Sequence, residues 1–255
     1  MSTAKAGGEV RIGTSGWHYK HWHGPFYPVD LPVSHMLAFY LDHFDSVEIN
    51  NSFYRLPLAS TFESWSRQAT PGFCFAVKAS RYLTHMKKLK DPQAGLQRFF
   101  PLVELLGDKL GPILFQLPPH WSCNAPRLAE FLRALPQQHR YSFEFRDPTW
   151  HCPEIYRLLK RHNAAFCMYE LAGFRSPIRV TADFTYVRLH GPATKAYQGS
   201  YDSAALTMWC DRIWKWQSEL KAVYVYFDND QSGYAAQNAS RLKNLVHRRS
   251  LSQSA

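Results

Sequence analysis

Seven ionisable side chains, Glu48, Lys78, Glu144, Arg146, Arg188, His190 and Asp228, stand at or near the ends of short apolar runs. Two carboxylates in unlike surroundings can hold different protonation states, which makes Glu48 and Glu144 a candidate acid and base. Lys78 suits three tasks: neutralising a carboxylate, holding an anion or forming a Schiff base. Arg146 and Arg188 suit bidentate contact with a phosphate or carboxylate, and His190 suits a proton shuttle. Asp228 and Asn229 are placed to orient a cation or a sugar hydroxyl. Taken singly, each of these residues also fits a structural ion pair.

What gathers them is a repeating pattern. Strand-like runs at 10–15, 46–51, 73–78, 112–117, 140–146, 164–169, 185–190 and 222–228 are separated by helix-like stretches at 34–44, 60–69, 92–107, 125–134, 153–162, 203–220 and 234–247. Ser34, Ser60 and Asp202 read as helix N-caps, and 171–184, with Gly173 and Pro177, as an irregular crossover. Eight strands with helical spacers predict parallel βαβ units. The simplest closed form is a single α/β domain, a (β/α)8 TIM-type barrel, whose usual size of about 250 residues matches. The barrel is expected over 10–247, with disordered ends at 1–9 and 248–255.

Strand side chains alternate between two faces. Val47 and Ile49 oppose Glu48 and Asn50. Phe143 and Phe145 oppose Ser142, Glu144 and Arg146. Val187 and Leu189 oppose Tyr186, Arg188 and His190, and Val225 and Phe227 oppose Tyr226 and Asp228. The apolar face belongs against the helices, so the other lines the lumen, together with Ser15, Lys78 and Gln116. A purely structural lumen would be filled with Val, Ile and Leu. A polar lumen at the C-terminal face predicts a site there, because unpaired buried charges are costly.

The loop after the first strand carries Trp17, His18, Tyr19, His21, Trp22, His23, Phe26 and Tyr27. Its histidines invite a metal reading, but acidic companions are sparse nearby, so no metal site is assigned. The aromatics read better as a stacking rim over the mouth, joined by Tyr54, Trp150, Tyr197 and Tyr201 and suited to sugars or bases. Gly233 with Ser232 could seat a phosphate at the start of the last helix. No Ser-His-Asp order, nucleophile elbow, GxGxxG or P-loop is present.

The composition bounds the rest. With 30 Lys and Arg against 20 Asp and Glu, the net charge is 30 − 20 = +10, which keeps nucleic acid open as an alternative partner to a small anionic or sugar-containing ligand. Five cysteines without a CxxC pair argue against a disulfide framework and for a reducing compartment. The first ten residues lack the apolar core of a signal peptide, and no apolar run is long enough to span a bilayer. The expectation is a cytoplasmic protein; cofactor and oligomeric state are left open.

The segments IGTSGW (12–17), SVEINNSFYRLP (46–57), FAVKAS (75–80) with Thr84 and His85, FQLPP (115–119), EFRDPTW (144–150), VRLHG (187–191) with Tyr197 and Tyr201, and FDND (227–230) followed by Ala235, Asn238 and Ala239 stand in one order. Together they resemble the YecE-like family, domain of unknown function 72, over about residues 10–246. That resemblance implies a TIM-type barrel and carries no activity with it. One departure is visible: the family's paired asparagines near the last strand read Asp228-Asn229-Asp230 here. The reading that follows is an enzyme with hydrolase- or lyase-like acid/base chemistry on a sugar- or phosphate-containing ligand; the alternative is a non-catalytic nucleic-acid-binding barrel.

Overall fold

A computed structural model describes residues 7–252. Eight parallel strands form the wall: β1 (Glu9–Thr14), β2 (Ser46–Ile49), β3 (Cys74–Lys78), β4 (Leu110–Leu117), β5 (Tyr141–Phe145), β6 (Ala165–Leu171), β8 (Phe184–Leu189) and β9 (Ala222–Phe227). They run in the order β1-β9-β8-β6-β5-β4-β3-β2, and the two-residue β7 (Phe174–Arg175) folds back antiparallel on β6. Helices α1 (Met36–His43), α2 (Ala59–Gln68), α3 (Pro92–Val103), α4 (Ala125–Ala134), α5 (Pro153–Arg161), α6 (Ser203–Glu219) and α7 (Tyr234–Ser252) occupy the intervals. The crossover expected at 171–184 is irregular: it begins with the short hairpin of β6 and β7 and then runs back along β6, with Ser176 bonded to Tyr169 and Thr181 to Ala164 and Phe166, to reach β8 without a helix.

The ring closes between β1 and β2 through one bridge, Ser15 to Glu48, where the Gly16 N–H donates to the Glu48 carbonyl at 2.8 Å. Below that bridge the phenol of Tyr40, from α1, stands in for the ladder. It accepts from the Thr14 N–H at 3.0 Å and donates to the Ser46 carbonyl at 3.0 Å. Gly13 makes this possible: a Cβ there would lie 2.1 Å from the Ser46 carbonyl oxygen. A side chain at position 13 would force the seam apart.

Burial follows the two strand faces. Val47, Ile49, Phe143, Phe145, Val187, Val225 and Phe227 pack outward against the helices. A second cluster of Cys74, Ala76, Leu114, Cys167, Tyr186 and Tyr226 fills the lumen. Even this floor is partly polar. Ser46 donates to the Cys74 carbonyl at 2.9 Å, so the Tyr226 hydroxyl, 2.6 Å from Ser46 Oγ, is the donor of that pair.

Three local expectations are corrected. Asp202 caps α6 by accepting from the Ala205 N–H at 2.8 Å, but Ser34 lies in a separate 3₁₀ turn and Ser60 inside α2, neither as a cap. β1 starts at Glu9 and α7 runs through Ser252, so the terminal elements extend slightly past 10–247. Of the ends expected to be disordered, 1–6 and 253–255 lie outside the described residues. No helix among the described residues is long and apolar enough to cross a membrane.

Candidate functional site

The C-terminal half of the lumen is organised around one guanidinium. Arg188, on β8 and wholly buried, donates from Nη2 to Glu48 Oε1 at 2.7 Å and from Nη1 to Glu144 Oε2 at 2.9 Å. Nε also reaches Glu48, at 3.1 Å, and Nη2 reaches Asp228 Oδ2 and Ser15 Oγ, each at 3.2 Å. Glu48 further accepts from Tyr186 at 2.6 Å and from Ser15, while Glu144 accepts from Arg146 Nε. Burial alone would raise the Glu144 carboxyl, but Arg146 and Arg188 outweigh it and hold it well below the usual carboxylate range. Glu144 is therefore a fixed anion, not a proton donor. Glu48 is equally enclosed, with 0% of its surface exposed. The expected acid/base pair is locked in an ion network and does not face open space.

His190 belongs to the same network. Its Nε2 lies 3.1 Å from Arg146 Nη2, its Nδ1 2.9 Å from Asp228 Oδ2. An arginine can only donate, so Nε2 accepts and the proton sits on Nδ1, donated to Asp228. Burial, then Arg188 and Arg146, push its pKa well below the ordinary value, so the ring stays neutral. Burial likewise raises the Asp228 carboxyl, partly offset by Arg188.

Lys78, at the end of β3, is different. Only 7% of the residue is exposed, yet among the described residues its Nζ makes no hydrogen bond and has no carboxylate within 4 Å; it sits 4.2 Å from the centre of the Phe53 ring. Burial, then the charge of Arg188, lower its pKa from 10.5 to about 8, with Glu144, Glu48 and Asp228 offsetting part of the shift. A shift of that size corresponds to about 3 kcal/mol spent on keeping the amine where it is. Arg146 too has capacity left: Nε and Nη2 are engaged by Glu144 and His190, and Nη1 makes no hydrogen bond among the described residues. Gln116 lies between them on β4, its amide nitrogen on the Leu117 carbonyl at 3.0 Å.

Beside Arg146 and Gln116 opens a pocket of about 330 Å³, bounded also by Tyr169, Phe174 and Tyr197; Lys78 is not among its lining residues. The Tyr169 ring carries the Arg146 guanidinium at 4.8 Å, and Tyr197 meets His190 edge-on at 5.4 Å. A second pocket of about 230 Å³ lies between Trp17, Tyr19, Asn50, Tyr54 and Trp65. There Asn50 Oδ1 is buried without a hydrogen-bond partner, and Tyr54 is 69% exposed.

Several expected rim residues are not at the rim. Trp150 is fully buried, donating to the Trp121 carbonyl at 2.6 Å and stacked on Phe145 in the outer layer. Tyr201 is buried and accepts from the Gly191 N–H at 3.1 Å; Asn229 ties Gly199 to Asn238, with 2.8 Å contacts to each. Both hold loops. Trp22 and Tyr27 pack into the core, so the aromatic loop is mostly a wedge under the barrel edge, and only part of it is a stacking surface. His23 turns both ring nitrogens to backbone carbonyls and His21 contacts Asp230. Among the described residues no group of three or more His, Cys, Asp or Glu side chains is arranged to hold a metal ion. Gly233 is buried and its N–H donates to the Asp230 carbonyl at 3.4 Å, so that amide is used within the turn.

Sequence reasoning missed Phe53, His85, Tyr169 and Phe174. Alternation would have given Tyr169, which shares a face of β6 with Cys167. Phe53 and His85 lie on irregular turns whose direction has no period. His85 meets Phe53 edge-on at 4.9 Å, and burial, then Lys78, lower its pKa to about 4.

Comparison with known proteins agrees with this architecture. Residues 11–255 match the family described as Protein of unknown function DUF72. UPF0759 protein YunF of Bacillus subtilis is 26% identical over 93% of this chain and 94% of its own. UPF0759 protein YecE of Escherichia coli is 29% identical over 55% of this chain and 50% of its own. A DUF72 family protein of Thermotoga maritima superposes with a TM-score of 0.84 at 28% identity, covering 94% of this chain and 99% of that one. One from Enterococcus faecalis gives 0.78 at 19% identity, over 93% and 95%, a likeness of fold.

Proposed function

The chain belongs to the DUF72 family, whose description assigns no function, and from the site itself we propose that it is an enzyme performing acid/base chemistry on a small phosphate- or sugar-phosphate-containing ligand at the barrel mouth. Arg146 Nη1 and Gln116 anchor the anion, and Lys78 carries the proton. The observation behind this reading is the buried, unpartnered Lys78 amine at the C-terminal end of a barrel strand, where sites in this fold lie. With a pKa of about 8, it exchanges a proton near neutral pH, where general acids and bases are most effective. Glu48 and Glu144 serve as fixed counter-charges to Arg188, an amendment to the expectation that they exchange protons.

Calorimetry with inorganic phosphate and turnover assays on phosphorylated sugars test it. Arg146→Met is expected to weaken phosphate binding at least tenfold, and Lys78→Met to abolish turnover while phosphate still binds. Absence of phosphate binding, or an Arg146→Met protein that binds as wild type, refutes the reading. The nucleic-acid alternative draws on the +10 charge and on the exposed rings of Tyr54 and Tyr197. Oligonucleotide affinity falling steeply with salt, with no phosphate binding, would favour it instead.

A further inference from the structure

We infer that Lys78 is a nucleophile that forms a Schiff base with the carbonyl carbon of a phosphorylated aldehyde or ketone. The choice of a phosphorylated ligand rests on the anion-binding reading above; the covalent step rests on Lys78 itself.

Three observations carry it. The residue is only 7% exposed, yet its amine has no hydrogen-bond or ion-pair partner among the described residues, so its lone pair is not committed elsewhere once the proton leaves. The neighbouring cations do not compete for the carbonyl: Arg188 is saturated by Glu48, Glu144 and Asp228, and Arg146 holds Glu144 and His190 through Nε and Nη2, leaving Nη1 for an anion. The charged and titratable groups facing the amine come from β2 (Glu48), β5 (Glu144, Arg146), β8 (Arg188), the turn beyond β3 (His85) and the segments beyond β8 and β9 (His190, Asp228). A lysine that is largely buried and close to guanidinium charge is in an environment that favours a free amine near neutral pH. At pH 7 about a tenth of such an amine is unprotonated, against roughly 0.03% of an ordinary lysine. Lower basicity takes back about a factor of 13 if amines follow the sensitivity known for thiols, which leaves an advantage of roughly 20-fold.

The step balances without an external oxidant or reductant. The Nζ lone pair forms a bond to the carbonyl carbon and the carbonyl π pair moves to oxygen. The two Nζ protons leave with that oxygen as water, and a carbon–nitrogen double bond remains. The neutral imine takes up one proton at nitrogen from solvent, and the resulting iminium draws electrons from the adjacent carbon, which suits a lyase-like cleavage or a proton abstraction. His85, neutral above a pKa of about 4, is the nearby ring able to relay a proton.

The test is reductive trapping of the whole protein with cyanoborohydride, which delivers hydride to the imine, using glycolaldehyde phosphate and glycolaldehyde as probes and peptide mass mapping as readout. The expected result is one dominant adduct on Lys78, formed about 20-fold faster than on exposed lysines such as Lys87 and Lys221, with a rate rising to half its maximum near pH 8. Inorganic phosphate should slow the phosphorylated probe and leave glycolaldehyde untouched. Lys78→Arg, which keeps the charge, should remove the adduct. Equal trapping of both probes on Lys78, indifferent to phosphate, would uphold the imine and overturn the anion reading. Phosphate binding with adducts spread evenly over surface lysines, or with none, would overturn the imine and leave the anion reading standing.

Discussion

Two cations buried within the same barrel are treated in opposite ways. Arg188, on the β8 wall, is enclosed by three carboxylates and a hydroxyl at 3.2 Å or less, with His190 Nε2 at 3.4 Å. Lys78, on β3, is nearly as buried and faces an aromatic ring with no anion in bonding range among the described residues. Burial of a charge is costly in both places, but only the first is compensated. The β8 side therefore acts as a rigid floor, and the β3 side retains an amine whose charge is easily lost. The contrast separates residues that fix the barrel from residues with bonding capacity left over.

Breaking the compensated side has the largest expected effect. Arg188→Met strands Glu48 and Glu144 in the lumen, and urea unfolding should show a loss of about 3–5 kcal/mol at neutral pH. The loss should shrink in acid, because protonation relieves a stranded carboxylate. A change below about 1 kcal/mol would mean that the network is not what holds the two carboxylates. Relieving the uncompensated side should do the reverse. Lys78→Met is expected to stabilise the protein by about 3 kcal/mol at pH 7. The sign follows from a folded pKa of about 8, below the unfolded value of 10.5. The penalty is complete below pH 8, falls as pH rises through the interval in which only the folded lysine has lost its proton, and is gone above 10.5. The gain should therefore vanish in alkali. A destabilised Lys78→Met protein at pH 7 would show that Lys78 is compensated after all.

Much of this was legible in the sequence, and the reasons are physical. All eight wall strands and the seven helices fall where the change of period places them, and a one-residue alternation put Glu48, Glu144, Arg188 and Asp228 on the inner face. Alternation has no depth coordinate along the barrel axis beyond residue order, and it says nothing about who pairs with whom. Hence Glu48 and Glu144 read as partners in chemistry, when both are anchored to Arg188. Loops were read least well. Trp150, Tyr201 and Asn229 look like rim residues by position, but their directions are set by Trp121, Gly191 and Asn238, distant in sequence. Ser34 and Ser60 have the right type for caps, but the helices begin at other residues.

The ionisation of Lys78 can be followed directly by NMR with lysine labelled at the ε-carbon and nitrogen, assigned through Lys78→Arg. The account predicts a midpoint near pH 8, separate from the other lysines and moved upward by added phosphate as an anion settles beside the amine. A midpoint at the ordinary value of about 10.5, unmoved by phosphate, would contradict it.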